Sequence, residues 1–307
     1  MKKIALLLLM CCMCFSNVGC SSSAPQAQQP QTETEQPSFA TAKVSYLGPE
    51  GTYTQEACEK FFGGSGEYIP YKTVDDAVAA LVKRESDHAV IPQENTIGGA
   101  VTDYIDTLIG EKSLSVVGEV ELPISQNLLV LPDAQLSDIK TVYSHKQGIA
   151  QGKDFLAQNL PEAEVVEVSS TAEGAKKVAE AKDKTAAAIA SAGCADVYGL
   201  KILSSNIQNN DLNKTRFYVL STDNAPMDKK ERFAFIASGE AKNLPKLMNK
   251  LESLNATLIT IHDRPLKTEL GQYNYVIECA EGTYNTYEEL SKVEGFEYRF
   301  LGCFDSY

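Results

Sequence analysis

The chain has 307 residues, 41 of them acidic against 28 basic, and a net charge of −13. So acidic a body repels nucleic acid and anionic headgroups, and any site for an anion has to concentrate its positive charge locally. With three histidines (His88, His145 and His262) and, beyond the first twenty residues, no Cys-x-x-Cys or Cys/His cluster, no metal site is expected.

Lys2 and Lys3 precede an apolar run over residues 4–15, and residues 1–19 read as a secretory signal, too short for a comfortable transmembrane helix of about 20 residues. Val18-Gly19-Cys20-Ser21 resembles a bacterial lipobox with Cys20 as the lipidated residue, although Asn17 stands where such boxes usually carry Leu. The expectation is an exported protein anchored to the membrane by lipid. Residues 20–42, rich in Gln, Ser, Thr, Pro and Ala, read as a solvated tether. Of the remaining cysteines, Cys58, Cys194, Cys279 and Cys303 are widely spaced and are expected to be small buried residues.

From residue 43 to about 222, short β-rich runs alternate with helical ones. Strands are predicted over 44–47, 88–91, 115–122, 127–131, 141–143, 164–168, 187–190 and 217–220. Helices are predicted over 53–62, 74–83, 100–109, 148–160 and 193–198, with another opened by the capping box Ser170-Thr171-Ala172-Glu173. This alternation predicts an α/β architecture. A second unit over residues 230–307 reads β-α-β-β-α-β, the ferredoxin-like order, with strands over 233–238, 256–263, 273–279 and 295–303 and helices over 244–254 and 283–293.

Several strand-to-helix turns share one design: Gly48-Pro49-Glu50-Gly51-Thr52, Pro92-Gln93-Glu94-Asn95-Thr96-Ile97-Gly98-Gly99, Ser144-His145-Lys146-Gln147-Gly148 and Ser169-Ser170-Thr171. Each exposes free N–H groups at a positive helix end, and in open α/β sheets ligands gather at the strand carboxyl ends. The run Asn213-Lys214-Thr215-Arg216-Phe217 adds a hydroxyl beside a permanent cation. Arg216 can hold a carboxylate through two parallel hydrogen bonds.

Together these blocks, with Tyr46-Leu47-Gly48-Pro49-Glu50-Gly51-Thr52-Tyr53-Thr54 and Ala188-Ile189-Ala190-Ser191, resemble the bacterial prephenate dehydratase family over residues 43–303. The resemblance implies a bilobal domain like type II periplasmic binding proteins, one lobe discontinuous with crossings near Val120 and Leu203, followed by a ferredoxin-like ACT domain. It implies cofactor-free conversion of prephenate to phenylpyruvate, a homodimer or homotetramer, and phenylalanine as a possible effector. Thr215 would be the acid. Glu94 would orient the site or supply a proton, or else serve as a helix-capping carboxylate. Arg216, Asn95, Thr96, Ser144, Ser169, Ser170, Thr171 and Phe217 would hold the substrate. His262, Asp263, Arg264, Pro265, Asn243 and Leu244 would form the regulatory positions.

The chain departs from the family pattern at Gln126 (usually His), Lys146 (usually Pro) and Asn209 (usually Asp), and His262-Asp263-Arg264-Pro265 replaces Glu-Ser-Arg-Pro. These departures, with the export signature, keep a rival expectation open: a non-catalytic solute-binding lipoprotein on the same scaffold.

Overall fold

The computed structural model describes residues 41–64 and 66–307, so the expected signal, Cys20 and most of the tether lie outside the described residues. No helix among the described residues is long and apolar enough to cross a membrane.

The first lobe is built from β1 (Lys43–Leu47), α1 (Tyr53–Phe62), β2 (Glu67–Tyr71), α2 (Val74–Val82), β3 (His88–Asn95), β4 (Gly99–Ala100), α3 (Thr102–Gly110) and β5 (Ser115–Pro123). The chain then crosses into a second lobe: β6 (Asn127–Val130), β7 (Thr141–Ser144), α4 (Lys146–Gln151), α5 (Lys153–Asn159), β8 (Glu164–Glu167), α6 (Thr171–Ala181), β9 (Ala186–Ala190), α7 (Gly193–Tyr198) and β10 (Lys201–Ser204). It returns to the first lobe as β11 (Lys214–Ser221). The crossings fall a few residues beyond Val120 and Leu203, because β5 runs to Pro123 and the return waits for β11. The first sheet has the order β2-β1-β3-β11-β5, with β4 on β3, and the second β10-β6-β9-β7-β8. The C-terminal unit, β12 (Arg232–Glu240), α8 (Leu244–Ser253), β13 (Thr257–Pro265), β14 (Gln272–Ala280), α9 (Tyr284–Leu290) and β15 (Phe296–Phe304), forms an antiparallel sheet of order β13-β14-β12-β15, the ferredoxin-like arrangement.

Two differences from the sequence expectation have local causes. No strand is predicted over residues 67–71, yet they form β2; its Pro70 is tolerated because β2 is an edge strand, where a missing N–H costs nothing in the ladder. The single helix predicted over 148–160 divides at Gly152, whose ideal Cβ position lies 2.9 Å from Ile189 Cδ1, so the bare backbone lies close over β9. In the predicted capping box, Ser170 Oγ accepts from the Glu173 N–H (3.0 Å), while the Glu173 carboxylate turns to Lys177.

The cores divide unevenly. One apolar cluster joins α3 (Tyr104, Ile105, Leu108) and β11 (Tyr218, Leu220) to the C-terminal sheet (Ala234, Ile236, Val276, Leu301, Phe304). Tyr218 meets Tyr104 and Phe304 edge-on, with ring centroids 5.5 Å apart in each case. The other face of that sheet is covered by α8 and α9 through Leu247, Leu251, Tyr287 and Leu290. Backbone bonds from Glu119 and Glu121 to residues 305–307 then extend the first sheet beyond β5. The second lobe packs around its own clusters, one on each face of β9. The four described cysteines are buried and free, and burial pushes the Cys194 thiol up to about 11.

Burial lowers the pKa of all three histidines from 6.5; at His145 the charge of Lys146 adds to the effect. A depressed imidazole pKa means that the unfolded chain binds more protons, so the contribution is fully present above pH 6.5 and is lost as the pH falls through 6.5 and the folded values. Thermal stability is therefore expected to drop between pH 7 and pH 5, at no more than about 1.4 kcal/mol per pH unit for each histidine. Melting curves of the parent and of His88→Gln test this; an unchanged pH slope in the variant removes His88 from the account.

Candidate active site

Between the two lobes lies a cleft of about 680 Å³. The first lobe contributes Thr52 and Tyr53, Asn95, Val101 and Thr102, Thr215 and Phe217 to its wall; the second contributes Gln126, His145 to Gly148, Gln151, and Ser169 to Thr171. Helices α1, α3 and α6 therefore begin at the cleft, each bringing unpaired N–H groups and a positive dipole end. A smaller neighbouring hollow of about 280 Å³ is lined by Asn95, Ile97, Gln147, Ala150, Gln151, Asn209 and Asn210. The lobes also meet where the Gly51 carbonyl accepts from Ser191 Oγ (2.7 Å) and Cys194 Sγ (3.1 Å), and where Tyr198 Oη donates to the Glu50 carbonyl (2.8 Å). Gly51 has φ +81°, and a Cβ there would lie 3.0 Å from the Cys194 sulfur, so glycine is required on both counts.

Thr215 sits at the start of β11, paired with Asn95 on one side and Leu122 on the other. Its hydroxyl oxygen accepts from Asn95 Nδ2 at 2.9 Å. Asn95 is itself fixed: its Oδ1 accepts the N–H groups of Ile97 (3.0 Å) and Gly98 (2.8 Å), and its amide nitrogen also donates to Asn213 Oδ1 (2.8 Å). Because Thr215 receives a hydrogen bond from a donor-only group, its own proton points elsewhere, and the cleft is what it faces. Thr215 and Phe217 lie on one face of β11 by strand alternation, with Phe217 also in the core beneath the cleft.

The same alternation removes Arg216 from the cleft, correcting the expectation that it clamps a substrate carboxylate. Its guanidinium points to the opposite face, where Nε and Nη2 bind Glu119 Oε2 (3.1 and 2.5 Å), Nη2 binds Glu278 of β14 (2.5 Å) and Nη1 reaches Glu94 (3.3 Å). Arg232 of β12 bridges Glu119 and Glu278, at 2.7 Å to each. Glu119 and Glu278 are fully buried, and Tyr218 Oη and Gln93 Nε2 complete the shell of Glu278. Burial and the neighbouring Glu278 raise the Glu119 carboxyl; burial would raise Glu278 as well, but Arg216, the Tyr218 hydroxyl and Arg232 outweigh it and hold Glu278 low.

Glu94 shares that far face because of a bulge. Arg216 pairs with Glu94 but Phe217 pairs with Pro92, which leaves Gln93 as the extra residue and turns both Gln93 and Glu94 toward the ion cluster. Glu94 is thus an ion-pair partner of Arg216 rather than a group facing the cleft. Ser144 is also corrected: it is fully buried and donates to the Ile189 carbonyl (2.7 Å), tying β7 to β9. Thr96 accepts from the Lys214 N–H and donates to the Leu212 carbonyl, closing the turn beside the cleft without lining it. Asn95, Thr215, Phe217, Ser169, Ser170 and Thr171 are brought together; Gln147, Gln151 and Lys146 join them, although the loop carrying Gln147 and Lys146 had suggested only Ser144.

Among the expected regulatory positions, Arg264 forms a bidentate pair with Asp106 of α3 (2.6 and 2.7 Å), joining β13 to the first lobe at Pro265's end of the strand. His262 bonds Thr260, and its surroundings include Glu94 and Arg216. Asp263 is on the same strand, whereas Asn243 reaches the Gly295 carbonyl (3.5 Å) and Leu244 packs in the core under α8. No group of His, Cys, Asp and Glu suited to a metal occurs among the described residues.

A family profile for prephenate dehydratase matches residues 44–225. The chain is 32% identical over 283 residues to prephenate dehydratase of Bacillus subtilis, covering 86% of this chain and 99% of that protein. It is 36% identical over 237 residues to the bifunctional chorismate mutase/prephenate dehydratase of Neisseria gonorrhoeae, covering 76% of this chain and 65% of that longer protein. The crystal structure of prephenate dehydratase from Arthrobacter aurescens in complex with L-Phe superposes with a TM-score of 0.78 at 27% identity, over 86% of this chain and 90% of that one. With the bilobal cleft, the Asn95–Thr215 pair and the ferredoxin-like C-terminal sheet, these matches establish that the chain belongs to the prephenate dehydratase family.

Proposed function

We propose that this protein converts prephenate to phenylpyruvate, and that Thr215 assists departure of the ring hydroxyl. The observation that carries this is the Thr215 hydroxyl, fixed as an acceptor by Asn95 and facing a cleft ringed by helix N-termini. In the reaction the ring carboxylate leaves as CO₂, and its bonding pair enters the ring. The C–O bond to the ring hydroxyl breaks, and one proton taken up overall releases that oxygen as water. A threonine hydroxyl is a weak acid, so its contribution is a hydrogen bond to the leaving oxygen, and aromatisation supplies most of the drive. The helix ends at the cleft suit an anionic substrate.

Incubating the full chain with prephenate at neutral pH and following phenylpyruvate tests the reading. Formation at the spontaneous rate, with ligand-induced thermal stabilisation, would instead establish a solute-binding protein on this scaffold. Phenylalanine is proposed as an effector of the ACT unit, on the likeness to a structure in complex with L-Phe, and assembly as a homodimer or homotetramer is proposed with it. The pattern Lys2, Lys3, apolar run, Cys20 supports export and lipid anchoring. Labelling by radioactive palmitate that disappears in Cys20→Ala is the expected outcome.

A further inference from the structure

Turning Arg216 away from the cleft leaves an anionic substrate without the cation that was expected to hold it. Among the residues lining the cleft, Lys146 is the one permanent cation, and Asp103 the one acid. Lys146 is exposed at the first position of α4 and makes no ion pair with any described residue. The other basic groups near the site are committed: Lys214 to Glu121 (2.5 Å), Arg216 to three carboxylates, and Arg232 to two. The charge of Lys146 is felt locally, since with burial it depresses the neighbouring His145. In a chain of net charge −13, an unpaired ammonium on a cleft wall is where an anion gains most.

We propose that Lys146 binds the carboxylate of the substrate's 2-oxo acid side chain. The choice between the two carboxylates follows from the chemistry. The ring carboxylate departs as neutral CO₂, so a cation held on it would stabilise the ground state more than the transition state and slow the reaction. The side-chain carboxylate keeps its charge from substrate to product, so a cation there binds both alike and raises affinity without opposing the chemical step. Lys146 stands on the second lobe and Thr215 on the first. A substrate holding Lys146 through its side chain and Thr215 through its ring hydroxyl therefore spans the lobes.

The inference rests on the prephenate reading but has a separate readout: direct binding of phenylpyruvate, which needs no turnover. In Lys146→Gln, the KM for prephenate and the Kd for phenylpyruvate are expected to rise together, by about ten- to a hundredfold for a lost charge-assisted bond, with kcat changing much less. Lys146→Arg is expected to recover most of the affinity, and added salt to weaken binding in the parent more than in Lys146→Gln. An unchanged Kd for phenylpyruvate in Lys146→Gln, or no measurable binding by the parent, overturns the assignment. A parent that binds phenylpyruvate through Lys146 yet leaves prephenate unconverted sinks the dehydration reading and leaves the carboxylate site standing.

Discussion

Replacing Thr215 by valine is expected to lower kcat on prephenate by about 10²- to 10⁴-fold, the range for loss of a positioned proton donor, with KM within a few-fold of the parent. Valine keeps the branched shape and the β propensity of the strand, so the substitution removes little beyond the hydroxyl. Asn95 Nδ2 loses one acceptor but retains Asn213 Oδ1 and the Lys214 carbonyl, which limits the structural damage. Steady-state kinetics with phenylpyruvate detection, alongside melting curves of both proteins, decide the matter. A valine variant that turns over at the parental rate shows that the proton comes from another group.

The largest stability effect is expected at Arg216. Arg216→Met strips the shared guanidinium from Glu119 and Glu278, two carboxylates with no exposed surface, and leaves Arg232 to compensate both. Removing one partner from a buried ionic cluster costs about 3–5 kcal/mol, because the desolvated charge left behind has no answer. Urea denaturation of the full chain measures the loss. Adding Glu278→Gln to Arg216→Met is expected to restore part of it, since the second change deletes an uncompensated charge. A double variant less stable than the single one shows that Glu278 is held by Tyr218, Gln93 and Arg232 without need of Arg216.

The neighbouring residues Thr215 and Arg216 show how far the sequence could be read. Both were assigned to the cleft, yet neighbours in a strand point to opposite faces, so one of them had to leave it. The acids that claim Arg216 were also visible, as Glu119 within the apolar run Ser115–Pro123 and Glu278 within Gln272–Ala280; a charge in the middle of a buried strand implies a partner. What pattern alone could not reveal is the bulge at Gln93, because one extra residue reverses the inward and outward assignment of everything beyond it. The alternation of strands and helices and the C-terminal β-α-β-β-α-β order were legible because local periodicity carries them. Ser144 was misplaced for the opposite reason: its motif lies at a cleft loop, but β7 directs its hydroxyl into the sheet toward Ile189.

The apolar cluster shared by α3, β11 and the C-terminal sheet makes the first lobe and the C-terminal unit a fixed jaw. The second lobe, cored separately and reached by two crossing segments, is the one expected to move against it. Opening the jaws breaks polar contacts such as those of Gly51 and Glu50 with Ser191, Cys194 and Tyr198, while the shared core stays intact. In hydrogen exchange, amides of the second lobe are therefore expected to open without those of the C-terminal sheet, whereas the C-terminal sheet cannot loosen without taking the Thr215 strand with it.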